Sequence, residues 1–269
     1  MKTLQEMLDS AGLMRVRSEI LQEALPSVRL RAHRVETEQL EQDTTRFGGL
    51  PNLPRGWAWP ERNGFDLPFI AQINLFEVTA YDVKHLLPDG GMLYFFFDID
   101  AFFKEARPRD QTLWRVLHSP LTSLQHTTVT EVDTLVKVYP TNAVSYALEM
   151  TLPDYSQYDT TSIQRLGLSE PLTDDEEKAY HKVQAQLAGI EPQYHIPIHR
   201  LLGHPDTVQW DMHRNLPGAP TDWQLLFQVD SDAALDTNWG DTGRIYYWIR
   251  LSDLMKKDFS RVRLILQST

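Results

Sequence analysis

GGLPNLP, residues 48–54, and LGHPDTV, residues 202–208, spell one loop twice: Gly49 and Gly203, and likewise Pro51 and Pro205, stand 154 residues apart. Working outward, each loop leads into an apolar segment interrupted by one amide, PFIAQINL with Gln72 and QLLFQVDS with Gln228. Each is followed by a glycine turn and an aromatic run, LPDGGMLYFFFDI with Gly91 and NWGDTGRIYYWIRL with Gly243, and then by WRVLHS or VRLILQS. Short β-branched and aromatic runs between Gly, Pro and Asp punctuation are strand text. Four matched elements in one order predict a duplicated loop–strand–turn–strand–strand unit, over 46–120 and again over 195–269. Two such antiparallel units pairing around a pseudo-dyad bury the apolar sheet face that neither can hide alone. The expected fold is a single α+β domain over 1–269.

The remaining text is helical or linking. Leu13, Val16, Ile20 and Leu21 recur at helical spacing before Pro26, predicting a helix over 12–25, followed by a strand from Val28 to Ala32. DTLVKVYP, residues 133–140, reads as a further strand. Thr173 and Glu176 form a capping box, Tyr180, Val183 and Leu187 make one face, and Gly189 and Pro192 end the run. This helix sits in an acidic stretch, 151–192, that has no counterpart in the first unit and reads as an insertion packed outside the sheets.

Composition narrows the function. The 269 residues include no cysteine, which removes disulfides, thiolate nucleophiles and thiolate metal sites, and 26 Lys and Arg against 37 Asp and Glu give a net charge of −11. That charge repels phosphate backbones, so nucleic acid is not an expected partner. Glu6 and Asp9 interrupt any secretion-signal pattern, and no uncharged apolar run nears the roughly 20 residues needed to cross a bilayer. A cytoplasmic address, no membrane and no cofactor are the expectations.

Chemistry-bearing motifs are few. Phosphate loops, dinucleotide fingerprints, nucleophile elbows, zinc-protease helices and EF-hand loops are missing from the text. Four of the nine histidines, His195, His199, His204 and His213, fall between 195 and 213 with Asp206 and Asp211 among them. Imidazole beside carboxylate can bind a metal or act as general base. Yet His195 and His199, four apart in extended text, stand roughly 13 Å apart, too far to share an ion, so no metal site is expected. The loop DSDAALDTNWGDTG concentrates Asp230, Asp232, Asp236 and Asp241, but Asp and Asn before Gly are turn formers. Gln72 and Gln228 each place an amide inside an apolar strand, where it must find partners or cost roughly 1–3 kcal/mol. Either they tie the loops to the sheet or they face one groove. Trp57, Trp59, Trp210 and Trp239 fall in loops, as recognition surface or as plugs for a sheet end.

FGGLPNLP, LPFIAQINL, LPDGGMLYFFFD, LLGHPDTVQWDM, WQLLFQVDSD and WGDTGRIYYWIRLSDL together resemble the signature of the YwqG-like family, a bacterial family of unknown function, from about Phe47 to the end of the chain. The resemblance implies a cytoplasmic α+β protein with antiparallel sheets and implies no catalytic residue. The expected function is a non-catalytic binding or interaction module for a protein partner or a small polar ligand. The alternative is a small hydrolase or metal-assisted enzyme using His204, Asp206 and Asp211. The expected ligand groove gathers Gln72, Gln228, His204, Gln209 and Asp211, with Trp57 and Trp210 as apolar walls.

Overall fold

The computed structural model describes residues 2–104, 111–120, 126–128, 136–156, 158–190, 196–209 and 211–269. The chain begins with two short helices rather than one. A Thr3–Glu6 capping box starts α1 (Leu4–Ser10), Gly12 turns at φ +83°, and α2 (Arg17–Glu23) follows. The apolar spacing after Leu13 was shared between that turn and α2, so it reads as one longer helix.

Ten strands form one antiparallel sheet: β1 (Leu25–Arg34), β2 (Arg46–Phe47), β3 (Phe69–Asn74), β4 (Met92–Phe97), β5 (Trp114–Ser119), β6 (Asn142–Thr151), β7 (His199–Leu201), β8 (Trp223–Asp230), β9 (Arg244–Arg250) and β10 (Arg263–Gln267). Their spatial order is β10-β9-β8-β7-β1-β6-β2-β3-β4-β5. Two expectations shift here. Residues 133–135 of the run read as a strand lie outside the described residues, and 136–140 are not in a strand; β6 starts at Asn142, where Val144, Tyr146, Leu148 and Met150 alternate. Also, β1 and β6, outside the 46–120 and 195–269 bounds, fill the middle of the sheet.

The order reads alike from both ends. Arg46 pairs with Gln72 and Gln72 with Tyr94, while Arg200 pairs with Gln228 and Gln228 with Tyr246. Next to β2 stands β6, and next to β7 stands β1, so each central strand adjoins the half other than the one that follows it in the chain. After β4 and β9 come the matching short helices α4 (Ile99–Lys104) and α7 (Leu251–Leu254), and after β3 comes α3 (Leu75–Val78).

Side chains alternate across each strand, which gives the sheet two apolar faces. On the inner face, rings from both halves meet: Phe95 lies 4.6 Å from Phe227 and 5.1 Å from Tyr247, and Trp239 packs on Phe97 and Tyr139. Burying each such ring contributes on the order of 1.5–3 kcal/mol. The sheet curls until its edges approach, and the Trp114 indole on β5 donates to the carbonyl of Val262, just before β10, at 2.8 Å. The outer face carries two smaller clusters, one around Met92, Tyr94 and Phe96, the other around Trp223, Tyr246 and Trp248.

The 151–192 stretch brings α5 (Thr160–Arg165) and α6 (Asp174–Ala188), the latter started by the Thr173–Glu176 box and closed by Gly189 at φ +67°. These pack with α1 and α2 in a separate helical core of Leu8, Ile20, Tyr155, Leu166, Tyr180 and Val183. Arg15 clamps Glu176 with two bonds of 2.9 and 2.7 Å.

Candidate functional site

The two glutamines do not share a groove. Gln72 and Gln228 are fully buried, and each side chain points outward beneath its own loop, away from the other half. Gln72 Oε1 accepts from the Asn52 N–H at 2.9 Å, and its Nε2 donates to the carbonyls of Gln42 (3.0 Å) and Thr44 (2.9 Å). Gln228 Oε1 accepts from the Asp206 N–H at 2.9 Å, and its Nε2 donates to the Ile198 carbonyl (2.9 Å) and to Asp206 Oδ2 (3.0 Å). The hydroxyl of Tyr94 donates to the Asn52 carbonyl at 2.6 Å, as that of Tyr246 does to the Asp206 carbonyl at 2.7 Å. These amides hold the two Gly-Pro loops to the sheet.

His204 and Asp211 do come together. After β7, Leu202 and Gly203 both take positive φ (+62° and +72°), and a Cβ on Gly203 would stand 2.7 Å from Ser27 Cβ and Thr151 Oγ1. This tight passage over β1 and β6 delivers His204 to the end of α2, where its Nε2 bonds the Glu23 carbonyl at 2.7 Å. A carbonyl only accepts, so Nε2 carries the proton and Nδ1 keeps its lone pair. Burial, with Arg165, Arg200 and His213 nearby, pulls the ring down to about 4 against the Glu23 bond, so it is neutral near pH 7.

Asp211 starts a short 3₁₀ turn over Met212–Asn215. Its Oδ1 accepts from the His213 backbone N–H (3.0 Å) and from His213 Nδ1 (2.8 Å), and its Oδ2 accepts from Arg165 Nη2 at 2.6 Å. Burial works against the charge, but the two His213 bonds and Arg165 outweigh it and hold the carboxyl well below the usual carboxylate range. The His213 ring stands edge-on to Trp248, centroids 5.0 Å apart.

These groups line a cavity of about 260 Å³ floored by Trp223 and Trp248. The helical insertion supplies its far wall, Asp154 and Arg165. Burial raises the Asp154 carboxyl above its ordinary range, although His181 and Arg165 pull the other way. The sequence reading missed Asp154, Arg165, Trp223 and Trp248. For Asp154 and Arg165 the only sequence signal was the insertion itself, since nothing local says which of its polar residues turns back toward the sheet, and Trp223 and Trp248 read only as strand residues.

The other expected residues lie elsewhere. Asp206 is bound by Gln228 and by Arg200, 2.8 Å away, and Arg200 also lies 3.0 Å from Glu149, itself 3.3 Å from Arg29. This buried network sits beside the cavity and does not open into it. The exposed Gln209 bonds the Ser268 carbonyl and the Gln267 amide oxygen. Trp57, 40% exposed, belongs to the first half, beyond Asn52–Pro54. Trp210 and His195 lie outside the described residues. Trp239 is fully buried, its indole donating to the Asp230 carbonyl at 3.0 Å. Asp230 pairs with Arg244 at 2.9 Å, and Asp232 caps the turn at Ala233–Leu235.

Among the described residues, no three His, Asp or Glu side chains converge as a metal site, and no helix is long and apolar enough to cross a membrane. The domain of unknown function DUF1963 matches residues 45–268, from the strand β2 through β10. A search of curated proteins finds no match.

Proposed function

The chain belongs to the DUF1963 family, and from that premise we propose that it is a non-catalytic small-molecule binding protein whose site is the cavity between the second half of the sheet and the helical insertion. What carries the reading is the convergence of four separate segments on that cavity: the end of α2, the insertion, the loop 203–213, and the Trp223–Trp248 floor. Its polar groups are already bonded to one another, with a neutral imidazole at one end and an Arg165–Asp211–His213 array at the other. Such fixed polar groups over aromatic walls suit a small polar ligand with one flat apolar face. The YwqG-like signature, a cytoplasmic address and descent of the two sheet halves from one duplicated unit belong to the same proposal. The mirrored strand order and the matching bonds that a glutamine and a tyrosine make to the loop in each half support the duplication.

One observation favours the alternative of a small hydrolase: Asp154, with its raised affinity for a proton, and an unprotonated His204 face one cavity, as an acid and a base. Against it, Thr207 and Thr221 line the cavity and neither hydroxyl bonds either imidazole, so among the described residues no activated nucleophile is assembled.

Ligand-observed NMR with a general fragment library separates the readings. Binding predicts fragments that compete for one site and raise the unfolding free energy, by about 2.7 kcal/mol at 100 times the dissociation constant. Those hits vanish in Arg165→Met while circular dichroism stays unchanged. Fragments that bind Arg165→Met as well as the parent chain, or no saturable hits at all, would end the proposal.

A further inference from the structure

The two halves differ at one buried arginine. Arg200 on β7 is 2% exposed and is neutralised from within the chain, with Glu149 at 3.0 Å and Asp206 at 2.8 Å, while its Nη1 donates to the His204 carbonyl at 2.9 Å. Arg46 on β2 holds the matching place: it pairs with Gln72 as Arg200 pairs with Gln228, and its Nη2 donates to the Leu50 carbonyl four residues on, as Arg200 does to that of His204. Arg46 is 3% exposed, yet among the described residues it forms no ion pair, and its Nε, like that of Arg200, makes no hydrogen bond.

The register shows why. Asn52 stands where Asp206 stands, since both give a backbone N–H to the glutamine and a carbonyl to the tyrosine. Asn142 opposite Phe47 matches Val28 opposite Leu201, so the place of Glu149, seven residues past Asn142, falls to Val35, seven past Val28. Two carboxylates in one half become an amide and an isopropyl group in the other. A buried guanidinium without a counter-charge is costly, and burial pulls Arg46 down to about 10, while burial also raises the neighbouring Tyr94 phenol and so leaves it uncharged near neutral pH.

Arg46 lines an open cleft of about 730 Å³ between the loop 35–42 and the first Gly-Pro loop, with Thr37, Gly49, Leu50, Asn52 and Thr141 around it. We propose that this cleft is a second ligand site, in which Arg46 receives the carboxylate of a small molecule and so obtains the counter-charge that Glu149 and Asp206 give Arg200. Glu36, Glu38 and Asp236 line the same cleft and outnumber Arg34, which lines it beside Arg46. They repel a second negative charge, so the ligand is a monocarboxylate or a zwitterion such as a free amino acid, and not a phosphate or a dicarboxylate. A guanidinium fork matches two carboxylate oxygens, which favours this class over chloride.

The test follows the Nε–Hε resonance of Arg46, assigned by its loss in Arg46→Gln, during titrations with acetate, alanine, succinate and phosphate at constant ionic strength. Acetate and alanine shift the resonance saturably and raise the melting temperature; succinate and phosphate do so at least tenfold more weakly. Val35→Glu restores the internal carboxylate at the place of Glu149, so it keeps the fold and loses roughly tenfold or more in acetate affinity, the worth of one charge-assisted hydrogen bond. If Val35→Glu responds like the parent chain, if the resonance does not move, or if phosphate matches acetate, the proposal is wrong. Because Arg46→Gln can lower stability by itself, Val35→Glu carries the decision.

Discussion

His204 makes the stability of this protein depend on pH in a calculable way. Its ring titrates near 4 when folded and near 6.5 when unfolded, so between those values the unfolded chain binds the extra proton and folding weakens as pH falls. The stability is complete above the unfolded value and is lost progressively down to the folded one. At about 1.4 kcal/mol per unit of difference, the full loss is about 3 kcal/mol. Carboxylates such as Glu176, held down to about 2 by Arg15, add their own acid dependence, so the measurement needs a reference. His204→Gln supplies it, because a glutamine amide can still donate to the Glu23 carbonyl but does not titrate. Urea unfolding of both chains between about pH 4 and pH 7.5 should show the parent losing about 3 kcal/mol more than the variant. Parallel curves would refute the buried, carbonyl-bound neutral ring and, with it, the unprotonated base at the cavity.

Gln72→Leu and Gln228→Leu each leave buried backbone partners unbonded and should cost about 3 kcal/mol in urea unfolding, with little change in secondary structure by circular dichroism. Glu149→Gln removes the charge shared by Arg29 and Arg200 and should cost about 3 kcal/mol or more, seen as a lowered melting temperature. Gly203→Ala places a Cβ 2.7 Å from Ser27 and Thr151 at positive φ and should cost more than 2 kcal/mol, whereas Gly12→Ala, with open space around it, should cost about 1–2 kcal/mol.

The strands legible in the sequence were those with a strong local signature: aromatic runs such as MLYFFF, opened by glycine turns, became β4 and its neighbours with little shift. The glutamines were legible as buried amides because an isolated polar residue in an apolar strand has few outcomes. The single groove expected to join them was not formed, since alternation along β3 and β8 turns both side chains to the outer face of a curved sheet. That curvature arises from contacts such as Trp114 to Val262, which are too distant in sequence to leave a local pattern. For the same reason, of the expected ligand residues among those described, only His204 and Asp211 reached the cavity, while Asp154 and Arg165 arrived from an insertion whose docking is decided by the helical core. β6 was missed although its alternation was present, because the Pro-ended run just before it had the stronger strand composition.

The central place of β1 also sets a clock. β1 leaves the ribosome well before its partners, since the Leu25 carbonyl bonds Thr151, 126 residues on, and Ser27 bonds Leu201, 174 residues on. At translation rates of about 5–20 residues per second, β1 waits roughly 6–25 s for its first neighbour and roughly 9–35 s for its second. During that time Val28 and Leu30, both fully buried in the finished sheet, have no ladder to join. A nascent chain stalled before His199 therefore carries a strand with one side unpaired, a template for pairing with another chain, and its safe passage depends on whatever shields it until β7 emerges.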